Sequence, residues 1–281
     1  MKTILVPTDF SSTAKNAADY AIGIAKQTGA KQVIFYHSYE TPVNIGSDVM
    51  VPMNFIDPHE IQENADNFLA KLKADYQSTE TGFDIEVIAE LKPLLEGVNE
   101  LVTARQVDLI VMGITGGGLV EEKLIGSNAL SIAKSAIIPV IIVQDKARFE
   151  TIDKILMVTD YEDIEENLPV QFIKRFLNST QAQLLVLTVN EDLFADKEAF
   201  KQKMLDGALM LEGFFKEYVP QYDYIDSEDF STAVSAYGKE VKAQLILIFP
   251  KEHGWIESLF KESHTKQLAF RSSIPLLVTH R

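Results

Sequence analysis

The chain has 281 residues, 46% of them hydrophobic, no cysteine and a formal net charge of −15. That composition rules out disulfides, thiolate metal sites and cysteine nucleophiles, and it argues against binding nucleic acid or anionic membrane through the bulk field. The length suits two domains, and no run of about 18 apolar residues marks a membrane span. Asp9 cuts the first apolar stretch too short for a secretion signal, so the expectation is a cytoplasmic protein.

Taken in order, residues 2–6 read as a first strand, closed at its carboxyl end by Pro7-Thr8-Asp9. Ser11 or Ser12 can cap a helix running to about Thr28, with Ala17, Ala21, Ile24 and Ala25 on one side and Gly29 as its stop. Residues 32–37 form a second strand. The connection over residues 40–59, with three prolines and Gly46, is long enough to lie over a ligand. Helix is expected over 59–78, strand over 83–89, helix from Pro93 to about 105 and strand over 109–112. A helix over 128–136 then leads into a strand over 139–143. Strands alternating with helices imply a parallel, doubly wound α/β sheet, because parallel neighbours need crossover helices.

The stretch Ile110-Val111-Met112-Gly113-Ile114-Thr115-Gly116-Gly117-Gly118, followed by Gly126-Ser127-Asn128, carries the chemistry. A buried strand runs into a glycine-rich loop, and the loop ends where a helix begins. Helix N-termini offer unpaired N–H groups and the positive end of the macrodipole, and so attract phosphate. Two residues separate Gly113 from Gly116 and nine separate Gly116 from Gly126. The spacing is neither a Walker A loop nor G-x-G-x-x-G, since Glu121 stands where a third glycine would be. Read blandly, the glycines are only a turn, and Asp9 only a helix cap.

The pattern then restarts. Lys154-Ile155-Leu156-Met157-Val158-Thr159-Asp160 echoes Thr3-Ile4-Leu5-Val6-Pro7-Thr8-Asp9, and further echoes lie at 184–189, 245–249 and 273–278. The chain is an internal duplication, joined near residues 147–152, with domains over 1–146 and 151–281. The second copy lacks the cradle: Phe249, Glu252 and Glu262 stand at the places of Gly113, Gly116 and Gly126, and only Ser263 keeps its counterpart, Ser127. Carboxylates repel phosphate at short range, so the second copy should not bind in the same way.

At these residues the sequence resembles the universal stress protein family, whose signature G-x2-G-x9-G-[ST] is matched by Gly113, Gly116, Gly126 and Ser127. The resemblance implies two tandem Rossmann-like, adenine nucleotide alpha hydrolase-like domains with strand order 3-2-1-4-5, and a crevice between strands 1 and 4. It further implies that Asp9 contacts adenosine while Pro7 and Thr8 line base and ribose. Ser38 would sit by the adenine, and Met112 and Gly113 would pack on the ribose. Gly116, Gly126, Ser127 and Asn128 would offer N–H groups to the phosphates. The ligand so implied is ATP, ADP or AMP, with or without Mg2+. The strands over 139–143 and 275–279 are expected to pair, making a pseudo-dimer within one chain that could dimerise further.

Catalysis gains little support. Only Lys123 offers a cation near the loop, beside Glu121 and Glu122, so slow or no hydrolysis is expected. His37, His59, His253, His264 and His280 show no metal-ligand spacing. The expected function is a stress-response protein that binds an adenine nucleotide in its first domain and signals to an unknown protein partner. The rivals are a nucleotide-independent scaffold and a weak ATPase.

Overall fold

The structure, a computed structural model, describes residues 1–40, 58–77, 82–114, 127–161, 164–191, 197–249, 268 and 272–279. The first half alternates strand and helix: β1 (Thr3–Pro7), α1 (Ser12–Thr28), β2 (Gln32–Tyr39), α2 (Pro58–Gln77), β3 (Asp84–Leu91), α3 (Leu94–Ala104), β4 (Leu109–Ile114), α4 (Ser127–Ser135) and β5 (Val140–Gln144). The helix ends follow from local chemistry. Ser11 accepts the Ala14 N–H at 3.2 Å at the start of α1, and Gly29, at φ 65°, returns its N–H to Ala25 at the end.

The second half repeats the order: β6 (Lys154–Val158), α5 (Ile164–Asn167), α6 (Val170–Thr180), β7 (Gln183–Asn190), α7 (Lys197–Phe215), β8 (Gln221–Asp226), α8 (Phe230–Glu240), β9 (Leu245–Ile248) and β10 (Leu276–Val278). Where the first half has one long helix after its first strand, the second has two short ones. Pro169 stands between them as the residue just before α6, and a proline cannot continue a helix begun upstream.

Strand order within the first half is β3-β2-β1-β4-β5, as the resemblance implies. The halves do not carry separate sheets, however. One ten-stranded sheet runs β3-β2-β1-β4-β5-β10-β9-β6-β7-β8. Its seam is the antiparallel pair β5–β10, with Leu276 opposite Ile142, Leu277 opposite Ile141 and Val278 opposite Val140. Each half thereby covers an apolar edge strand of the other.

Both cores cross this seam. On one face Ile4, Val6, Val111 and Ile141 of the first half pack in one cluster with Ile155, Met157, Phe176 and Leu277 of the second. On the other, Leu5, Ile110, Met112 and Ile142 join Leu156, Phe230, Ile246 and Val278. The linker adds a polar clasp. Gln27 donates from Nε2 to the carbonyls of Ile152 and Thr180, at 3.0 and 3.1 Å, and accepts the Ile152 N–H at 2.9 Å. Phe149 lies so close to Gly23 that a Cβ there would stand 2.2 Å from its ring. Among the described residues no helix is long and apolar enough to cross a membrane.

Halves that share a sheet and both cores should unfold together. Urea denaturation followed by far- and near-UV circular dichroism is expected to give coincident single transitions; two separated transitions would contradict the shared core.

Candidate functional site

The carboxyl end of β1 sets the geometry. Thr8 closes the strand by giving its N–H to Tyr36 at 2.8 Å, and its hydroxyl accepts the Phe10 N–H at 3.1 Å. Phe10 is thereby held at φ 62°, a left-handed conformation that side-chain-bearing residues seldom adopt. Asp9 Oδ1 accepts the Ser11 N–H at 3.0 Å, and its carboxylate remains exposed. The turn therefore presents an acid just ahead of the first turn of α1.

His37 supports this turn from β2. Its Nδ1 lies 2.7 Å from the Thr8 carbonyl oxygen, which can only accept, so Nδ1 carries a proton and donates it there. Phe10 packs on the His37 ring at 4.5 Å between centroids and on Phe68 of α2 at 5.1 Å, and Phe68 is 55% exposed. Sequence reasoning passed over Phe10 and Phe68 and weighed His37 only as a metal ligand. The positive φ and the stacking depend on a turn geometry that no residue pattern announces.

β4 lies beside β1, in parallel, with Leu5 level with Ile110. Two residues further on, Pro7 and Met112 come level, so Pro7, Thr8, Asp9, Met112 and Gly113 gather at one edge. Met112 is buried and belongs to the core cluster that holds α3 and α4. Gly113 is needed for packing: a Cβ there would meet the Thr13 carbonyl oxygen at 2.4 Å and its carbon at 2.7 Å. The first turn of α1 thus lies directly on the backbone of β4. Ser38, also at this edge, turns its hydroxyl to the Lys92 carbonyl at 2.5 Å. Asn128 is exposed in the first turn of α4, where Ser127 is the first residue. Gly116, Gly126 and the Ser127 hydroxyl lie outside the described residues, as do Glu252, Glu262 and Ser263.

The second half copies the turn and changes its furniture. Tyr161 stands at φ 62° with its N–H on the Thr159 hydroxyl at 3.1 Å, repeating Phe10 and Thr8. Thr188 takes the place of His37, and both its hydroxyl and that of Tyr161 are buried. Burial pushes the Tyr161 phenol above its ordinary range. The Tyr161 ring lies on Gly207 of α7, where a Cβ would come within 2.3 Å of it. Asp160 is only 8% exposed, whereas Asp9 faces solvent. Phe249, at the place of Gly113, is fully buried in the cluster that holds Ile164 and Leu168.

The crossovers diverge at β1 and β4. The helix after β1 packs on one face of the sheet and the helix after β4 on the other, which makes the ends of these two strands the topological switch point. An open α/β sheet with a crevice at its switch point is a class of fold that hosts many functions. This chain belongs to the universal stress protein family, whose model matches residues 1–144. A universal stress protein of Methanocaldococcus jannaschii is 34% identical over 148 residues, 51% of this chain and 82% of that protein. The crystal structure of a universal stress protein from Archaeoglobus fulgidus superposes with a TM-score of 0.70 at 20% identity, over 99% of this chain and 96% of that one. A functionally unknown protein from Pseudomonas aeruginosa gives 0.60 at 13% identity, over 99% and 92%. At these identities the two solved structures speak to the fold alone, and both extend the likeness across both halves.

Because Gly113 is a packing glycine, Gly113→Ala should destabilise the ligand-free protein by about 1–3 kcal/mol, the usual cost of overpacking. Thermal melts without nucleotide read this directly. An unchanged midpoint would mean that α1 does not sit where described.

Proposed function

We propose that the chain is a stress-response protein that binds ATP, or a related adenine nucleotide, at the carboxyl edge of its first half. The observation that carries this reading is the exposed Asp9 carboxylate just ahead of α1, at the carboxyl edge of adjacent strands β1 and β4, the switch point of the sheet. Carboxylates suit ribose hydroxyls, which donate hydrogen bonds, and helix N-termini suit phosphates. Pro7 and Thr8 line the base and ribose, Ser38 lies toward the base, and Met112 and Gly113 lie beneath the sugar. Gly116, Gly126, Ser127 and Asn128 give main-chain N–H groups to the phosphates, with Mg2+ as counter-ion. Membership of the universal stress protein family supports the assignment.

In this reading the domains are residues 1–146 and 151–281, and the second is a structural copy without a nucleotide. The buried Phe249 at the place of Gly113, and Tyr161 packed on Gly207, favour that asymmetry. The β5–β10 seam supports a pseudo-dimer within one chain. Hydrolysis is slow or absent. Nucleotide occupancy alters the carboxyl-edge surface and so its affinity for a protein partner. A reducing compartment such as the cytoplasm suits a chain without cysteine.

Calorimetry with ATP and Mg2+ tests the proposal. The expected result is saturable binding of one nucleotide per chain. Asp9→Asn, which keeps an oxygen for the Ser11 N–H, should weaken it about tenfold or more, the worth of a charged hydrogen bond. No saturable heat would leave the nucleotide-independent scaffold as the better reading.

A further inference from the structure

Gln144, the last residue of β5, is 3% exposed, yet among the described residues neither its side-chain nitrogen nor its side-chain oxygen has a hydrogen-bond partner. Its main-chain carbonyl is engaged, accepting from Asn16 Nδ2 at 2.9 Å and from the Ala147 N–H at 3.1 Å. Buried amides are almost always paired, and one left with both ends empty calls for a missing partner. Its place in the fold says what that partner is.

Side chains alternate along β5. Val140 and Ile142 lie in the core cluster that contains Ala129, Ile132 and Ala133 of α4. Gln144, two residues beyond Ile142, stands on the same face, and so does Ile114, its register partner on β4. Ile114 can offer the amide no hydrogen bond. Helix α4 starts at the carboxyl edge and descends to Ser135, a short turn ahead of Val140 at the start of β5, so its first turn lies toward the end of the strand where Gln144 stands. The unpaired carboxamide and the first-turn N–H groups of α4, which have no partner within the helix, therefore share one end of one face.

We propose that Gln144 is a phosphate-recognition residue of the nucleotide site, its Nε2 donating to a phosphoryl oxygen held at the N-terminus of α4. The assignment rests on the nucleotide reading above and extends it to a residue outside the glycine signature. A neutral donor suits the position, since a buried cation would need a counter-charge whenever the ligand leaves. The bound phosphate supplies the acceptor that Nε2 lacks, so the ligand-free protein holds an unsatisfied donor that binding relieves.

The test uses the full chain with Gln144→Leu and Gln144→Glu, titrated with ATP and separately with adenosine. Gln144→Leu should lose about ten- to hundredfold in ATP affinity, the range of a hydrogen bond to a charged group, while adenosine affinity is unchanged. Its ligand-free melting temperature should rise, because the unpaired amide is gone. Gln144→Glu should lose more ATP affinity still and keep that for adenosine, since a carboxylate repels phosphate. ATP affinity of Gln144→Leu within about twofold of wild type would overturn the assignment. So would equal losses for ATP and adenosine with a lowered melting temperature, the mark of a purely structural residue. Wild-type protein that binds neither ligand would overturn the nucleotide reading itself, a result distinct from both.

Discussion

The contact on which the site depends is main chain against main chain: the first turn of α1, at Thr13, lying on the backbone of β4 at Gly113. Only a residue without a Cβ permits that approach. It draws the start of α1 toward β4, although α1 follows β1 and leads away to β2. The Thr8–Ser11 turn is carried with it, held by the Thr8 hydroxyl and the Asp9 carboxylate and braced by His37. An exposed acid and a helix N-terminus are thereby fixed beside the end of β4. A glycine that a ligand-centred view assigns to the sugar is first of all a requirement of packing.

The duplication shows how two copies of one scaffold can diverge without losing the fold. Phe10 and Tyr161 hold the same left-handed conformation through equivalent threonine hydroxyls. The aromatic ring at this place packs on Phe68 in the first half and on Gly207 in the second, and Asp160 is buried where Asp9 is exposed. The second half also serves the first structurally, because β10 covers β5 and both cores run through the seam. Retention of the second copy therefore needs no ligand of its own to explain it.

Much of this was legible in the residues. Ser11 and Gly29 announce the ends of α1, the apolar runs announce β1, β4 and β5, and the repeated Thr-Asp turn announces the duplication. Strand order came from the family resemblance, since no local pattern encodes which strands are neighbours. The pairing of β5 with β10, which makes the sheet continuous, was likewise expected from the resemblance rather than from a local pattern. The rest was hidden for physical reasons. β8 (Gln221–Asp226) is a sheet-edge strand, largely exposed and polar, and so lacks the hydrophobic signal of a strand. Gln144 looks like an ordinary polar residue at a strand end, and only the fold reveals its burial without partners. Ser38 sits at the expected edge, but the fold commits its hydroxyl to Lys92.

The two halves share a fold, and the proposal is that an adenine nucleotide binds at the carboxyl edge of the first alone. Amide hydrogen exchange with and without ATP tests it residue by residue. The account predicts added protection at residues 8–14 and 127–130, with none at residues 159–168. Protection at the second copy's turn, or at neither, would contradict it.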